Sequence, residues 1–145
     1  MKRGNFEDCI EQGKVFETDV PDKSMAKELL ALAEHRETFW NSVQDKAVLF
    51  PSLFIEGHYE IIKELCTAIL ALKGWKATNH ECLFLYLENK ESSLNVDWDY
   101  LLKLKDIRNS IDYRGTMVSA ELWKENEAKI TFTVTELKRY LQEKL

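Results

Sequence analysis

The run from Ser52 to Lys73, "SLFIEGHYEIIKELCTAILALK", constrains the fold more than any other stretch of the chain. Phe54, Tyr59, Ile62, Leu65, Cys66, Ile69 and Leu72 recur at the spacing of an α-helix, over a length that strands rarely reach. Around "LCTAILAL" the segment is apolar on nearly every side, so one amphipathic neighbour cannot cover it. Such a helix belongs at the centre of a bundle, with Pro51 at its start and Gly74 at its C-cap.

The remaining periodic segments supply the covering helices. Phe6, Cys9, Ile10 and Phe16 allow a short helix over about residues 5–18, weakened by Gly13. "DVPDKS" opens a helix that keeps period through Met25, Leu29, Leu32, Ala33, Trp40 and Val43 to about Ala47. "TNHE", Thr78 to Glu81, has capping-box form and opens a short helix through Tyr86 and Leu87. Asn95 is the expected N-cap of the next helix, which runs to about Tyr113 and stops at Gly115. From about Ser119 to Leu145, the apolar residues Ile130, Val134, Leu137, Leu141 and Leu145 keep helical period, although "ITFTVT" is β-branched. With only 2 Pro and 5 Gly to make turns, the expected fold is all-α. It is an antiparallel up-and-down bundle of about five helices, one domain over residues 1–145.

Charge and cysteine usage exclude several function classes. A net charge of −5 rules out coating nucleic acid through bulk charge, so any such contact needs a local patch. Cys9, Cys66 and Cys82 are odd in number and lack CxxC spacing, which argues against a disulfide framework and against a zinc site. His58, Cys66, His80 and Cys82 show no diagnostic metal spacing, and no P-loop or glycine-rich cradle is present, so no metal and no cofactor is expected. The absence of a signal-peptide pattern or an apolar run of membrane-spanning length makes the cytoplasm the expected location.

"DIRNSIDYRG", Asp106 to Gly115, holds the oddity of the chain. With Leu101 set at zero on a helical wheel, the apolar stripe of Trp98, Leu101, Leu104, Ile107 and Ile111 centres near about 330°, and Arg108 falls at about 340°. Asp112, Asn109 and Tyr113 follow at about 20°, 80° and 120°, a polar sector where a core face should be. An Arg108–Asp112 pair four residues apart accounts for part of it structurally. The alternative is a phosphate receptor: a planar guanidinium held in a partly apolar crevice, with Asn109 and Tyr113 beside it.

"IRNSIDYRG", late in a small helical chain, together with the upstream "GHYEIIKELCTAILALKGWKATNHECL", resembles the HEPN (higher eukaryotes and prokaryotes nucleotide-binding) superfamily over about residues 20–144. The resemblance implies a helical bundle, commonly a homodimer with the two motifs facing each other. Active members are metal-independent ribonucleases, often toxins in toxin–antitoxin pairs with a minimal nucleotidyltransferase. Arg108 matches the motif arginine and Asn109 the polar residue after it, but Tyr113 stands where histidine is expected, and Gly115 where the family's tyrosine target for adenylylation would fall.

That departure bears on chemistry. Cleaving RNA through its 2′-hydroxyl needs a group that exchanges protons near neutrality, and an ordinary tyrosine, with a pKa of about 10, does so poorly. The expectation is a dimeric nucleotide- or RNA-phosphate-binding module, non-catalytic or weakly catalytic, with Arg108, Asn109, Asp112 and Tyr113 as ligand-binding residues. The alternative is a toxin-type ribonuclease using Arg108 with Tyr113 or His80, the histidine best placed to replace the missing base. Because Arg108 and Tyr113 lie about 140° apart on one helix, a pocket shared by two subunits is the more natural arrangement. Lys103, Lys105, Arg108, Arg114 and Lys124 are interrupted by Asp106 and Asp112, and form a solvated face more readily than an RNA patch.

Overall fold

The computed structural model describes residues 4–145. Among them run six helices: α1 (Phe6–Glu11), α2 (Lys23–Ser42), α3 (Pro51–Lys73), α4 (His80–Lys90), α5 (Trp98–Arg114) and α6 (Ala120–Lys144). The fold is an all-α helical bundle, as the periodicity implies. Two three-residue strands, β1 (Val15–Glu17) and β2 (Trp75–Ala77), add an antiparallel ribbon with Phe16 opposite Lys76. β1 falls where the sequence leaves room only for more of the first helix. Gly13, at φ +67°, ends that helix, and the chain turns back to pair beside α3.

α3 is the hub, packing against α2, α4, α5, α6 and β2. Ile55, Tyr59, Ile61, Ile62, Leu65, Cys66, Ala68 and Ile69 are fully buried on it, which is why its sequence is apolar almost all round. Burial of each large aliphatic side chain contributes about 1.5–3 kcal/mol. Pro51 occupies the first turn, where its missing N–H costs nothing. Gly74 ends the helix at φ +80°, its N–H reaching the Ala71 and Leu70 carbonyls. α2 approaches α3 closely at Gly57, where a Cβ would collide with the Trp40 ring.

The other boundaries follow their caps. Asn79 accepts from the Cys82 N–H and starts α4, so the helix begins two residues inside the "TNHE" box. Asp97, and not Asn95, caps α5 by accepting from the Tyr100 N–H at 3.0 Å. Asn95 instead donates its own N–H to Glu136. α6 is unbroken through "ITFTVT", because Ile130, Thr133, Val134 and Leu137 lie on one buried face while Phe132 is turned outward. The buried polar groups of that face are satisfied: Thr133 donates to the Lys129 carbonyl, and Asn126 accepts from the Tyr100 hydroxyl at 2.7 Å.

The cysteines correct the expectation drawn from their spacing. Cys9 of α1 and Cys82 of α4 form a disulfide across 73 residues, their Cα atoms 5.7 Å apart. Sequence spacing misses it because α1 folds back onto α4 only in three dimensions, where Phe6 also meets Tyr86 edge-on. Cys66 is the odd thiol, wholly buried, and burial pushes its pKa up. No helix among the described residues is long and apolar enough to cross a membrane.

Candidate functional site

The core thins toward the C-terminal end of α5. Trp98, Tyr100, Leu101 and Leu104 are buried, but Ile107 and Ile111 are only partly so, and the last two turns emerge between α3 and the start of α4. Gly115, at φ +67°, closes the helix by donating to Ile111 and Ser110 carbonyls, and the Thr116 N–H also bonds to Ser110. These last turns carry the polar sector seen in the sequence.

Arg108 is held on several sides. Its Nη2 meets Asp112 Oδ2 at 2.9 Å, and its Nη1 donates to Asn109 Oδ1 at 3.3 Å. The guanidinium carbon lies 5.6 Å from the Tyr59 ring centre and 6.0 Å from that of Tyr113. The side chain is 18% exposed. A guanidinium has five N–H donors, and the two bonds leave three for a ligand. One protomer thus brings Arg108 and Tyr113 together. The helical wheel, which places them far apart, ignores the reach of a long arginine and a ring that leans back along the helix.

A cavity of about 430 Å³ opens beside them, lined by Thr78, Asn79, His80, Glu81, Lys105, Arg108, Asn109 and Tyr113. His80, remote in sequence, stands in the same cavity as Arg108 because it opens α4 directly opposite α5. Its Nδ1 is 2.8 Å from the Tyr59 hydroxyl. Burial pushes the Tyr59 pKa far up, so the phenol keeps its proton. Burial, then Lys63 and Arg108, lower the pKa of His80. Tyr113 is 76% exposed at the rim. Lys105 lies 3.9 Å from Glu81 and 3.6 Å from Asp106, so the cavity's second cation is partly neutralised.

On the far side of Arg108, Glu56 of α3 sits against Asp112. That carboxylate neighbour and burial raise the Glu56 pKa to about 7, opposed by Arg108. Glu56 and Tyr59 escape a reading based on the motif alone. The signal for Glu56 was an acid within the apolar stretch before the helix centre, and for Tyr59 its place one turn further on.

The other histidines lie outside this cavity's lining. His58 is packed among Phe54, Trp40 and Trp123, its Nδ1 lies 2.7 Å from the Phe54 carbonyl, and burial lowers its pKa. His35 is remote from the cavity's lining. Lys103, Arg114 and Lys124 also lie outside that lining, leaving Lys105 and Arg108 as its lysine and arginine. Comparison with protein-family models, with curated proteins and with solved structures finds no match to this chain.

Proposed function

We propose that the cavity at the C-terminal end of α5 binds a phosphate group of a nucleotide or RNA, with Arg108 as its receptor. The observation that carries this reading is the position of the guanidinium: bonded to Asp112 and Asn109, bracketed by Tyr59 and Tyr113, and at a cavity with donors to spare. Asn109 and the Tyr113 hydroxyl add hydrogen bonds, and the exposed Tyr113 ring offers a face on which a base can stack. Asp112 orients Arg108 and does not itself touch an anion.

Binding without cleavage is the reading we favour. The Nδ1 of His80 is tied to the Tyr59 hydroxyl, and burial with Lys63 and Arg108 nearby disfavours the imidazolium that a general base must become. The ribonuclease reading rests on one observation, that His80 shares the cavity with Arg108 and Tyr113. It requires His80 to take up a proton against the opposing effects of burial, Lys63 and Arg108.

A homodimer fits the same reading. Leu49, Phe50, Leu53 and Met117 are exposed apolar residues around a cavity of about 330 Å³ that adjoins Glu56 and Ile111, next to the Arg108–Asp112 pair. A nucleotidyltransferase partner and a cytoplasmic setting belong to the same reading. The Cys9–Cys82 bridge runs against that setting, since a reducing cytoplasm would hold both residues as thiols.

The test combines calorimetric titration of ADP with incubation of a labelled RNA pool, each on the wild type, Arg108→Ala and Tyr113→Phe, in the presence of a chelator. The expected result is ADP binding weakened about tenfold or more by Arg108→Ala, with intact RNA. Wild-type cleavage lost in Arg108→Ala would select the ribonuclease. ADP affinity unchanged in a folded Arg108→Ala protein would leave Arg108 with a structural role only.

A further inference from the structure

A second cavity, of about 420 Å³, lies on the other side of the strand-to-helix junction at Thr78–His80, between β2, α3 and the start of α2. Its volume is within the range of small-molecule sites. Thr67, Leu70 and Ala71 of α3 face it with Lys63, one turn before Thr67, and Trp75, Ala77 and Leu83 enclose it. Val20 and Met25 stand at its edge with 70% and 40% of their surface open to solvent. The wall is mainly apolar.

Hydrogen-bond accounting shows what polar chemistry the cavity has left. The Thr67 hydroxyl donates to the Lys63 carbonyl, Thr78 to the Lys14 carbonyl and Thr18 to the Val20 carbonyl. Asn79 Oδ1 and Asp22 Oδ1 each cap a helix by accepting a backbone N–H. The donors left in the lining are the ammonium groups of Lys63, which spends one N–H on Glu60, and of Lys76, the amide nitrogen of Asn79 and the ring of His80. Lys63 and His80 both line the cavity, and the charge of Lys63 is felt at His80. Donors thus form part of the wall, and hydrocarbon and an indole cover the rest.

We propose that this cavity is a second ligand site, for a small monoanionic acid with an aromatic or alkyl body. The carboxylate would take Lys63 and His80, and the body would lie against Leu70, Trp75, Ala77 and Leu83. A single negative charge is favoured because Asp22 lines the same cavity and Glu60 is paired with Lys63, and both would repel a dianion such as a phosphate monoester more than a monoanion. The site stands independently of the phosphate reading of Arg108. It meets that cavity at Thr78, Asn79 and His80, so an occupant would press on the residue that Tyr59 holds.

The test is calorimetric titration of 4-phenylbutyrate, with neutral 4-phenylbutanol as its isostere, into the wild type, Lys63→Ala, Thr67→Phe and Phe132→Ser. The expected result is one saturable site for the acid, about tenfold or more weaker in Lys63→Ala and for the alcohol, because a charge-assisted hydrogen bond is lost. Thr67→Phe, which fills the cavity, should abolish binding, and Phe132→Ser, on the exposed face of α6, should leave it unchanged. Lys63 is at the cavity edge with its side chain partly exposed, so that variant carries the test if Thr67→Phe does not fold. No saturable binding by the wild type, or affinity indifferent to Lys63→Ala, would overturn the proposal. So would equal affinity for acid and alcohol.

Discussion

Breaking the Cys9–Cys82 bond is expected to be the most costly small change to this chain's stability. The bridge closes a loop of 73 residues in the unfolded chain. In the chain-entropy account, a loop of that length removes about 15 cal/mol/K from the unfolded ensemble, or about 4 kcal/mol at 25 °C. Little else compensates, because α1 is six residues long and Cys9 is its one buried residue. Reduction, or Cys9→Ser, should therefore cost about 3–4 kcal/mol, a large share of the stability of a domain this size. With a urea slope of about 2 kcal/mol/M, the unfolding midpoint should fall by roughly 1.5–2 M. Urea titrations of the oxidised protein, the reduced protein and Cys9→Ser would read this directly, and the last two should coincide. A midpoint unmoved by reduction would refute the cross-link as a stabilising element. A Cys9→Ser midpoint far from that of the reduced protein would show that the substitution acts by another route.

Three further outcomes follow from single contacts. Glu56→Gln removes an acid whose pKa is raised to about 7 by Asp112 and burial. Between about pH 4.5 and 7 the unfolded chain sheds that proton first, so wild-type stability falls as pH rises, and the glutamine variant should be flatter there. After solvent screening of this partly exposed pair, it should be about 1 kcal/mol more stable than wild type at pH 8, and melts that stay parallel from pH 5 to 8 would contradict this. Gly57→Ala should gain about 1 kcal/mol of helix propensity yet lose more by driving a methyl into Trp40, leaving it about 2 kcal/mol less stable in thermal melts. Asn79→Ala, which leaves the Cys82 N–H without its cap, should cost about 1 kcal/mol, and an unchanged melting temperature would show the cap to be dispensable.

The helices were legible because their signals are local. The apolar period of α3 and α6, Pro51, Gly74 and Gly115 need no tertiary knowledge, and each stands where its physics requires. The strands were not legible. "VFE" and "WKA" are too short to show alternation, and they pair only because α3 ends beside the returning N-terminal segment. The disulfide was hidden for the same reason, since spacing along the chain carries no record of α1 meeting α4. At the site, Arg108, Asn109 and Asp112 announced themselves as polar residues on an apolar stripe. Tyr59 did not, because a buried tyrosine in a core helix looks like ordinary packing until its hydroxyl is seen on His80.

The most direct measurement of the central claim follows the Nε–H signal of Arg108 in a ¹⁵N-labelled protein, assigned by its loss in Arg108→Lys, while ADP and then a single-stranded RNA decamer are added. A guanidinium that receives phosphate should show a saturable shift of that signal with slower solvent exchange, and the Tyr113 ring signals should move with it. An Arg108 signal that stays in place at concentrations of both ligands that would saturate a millimolar site would contradict the account, and leave the arginine as Asp112's partner alone.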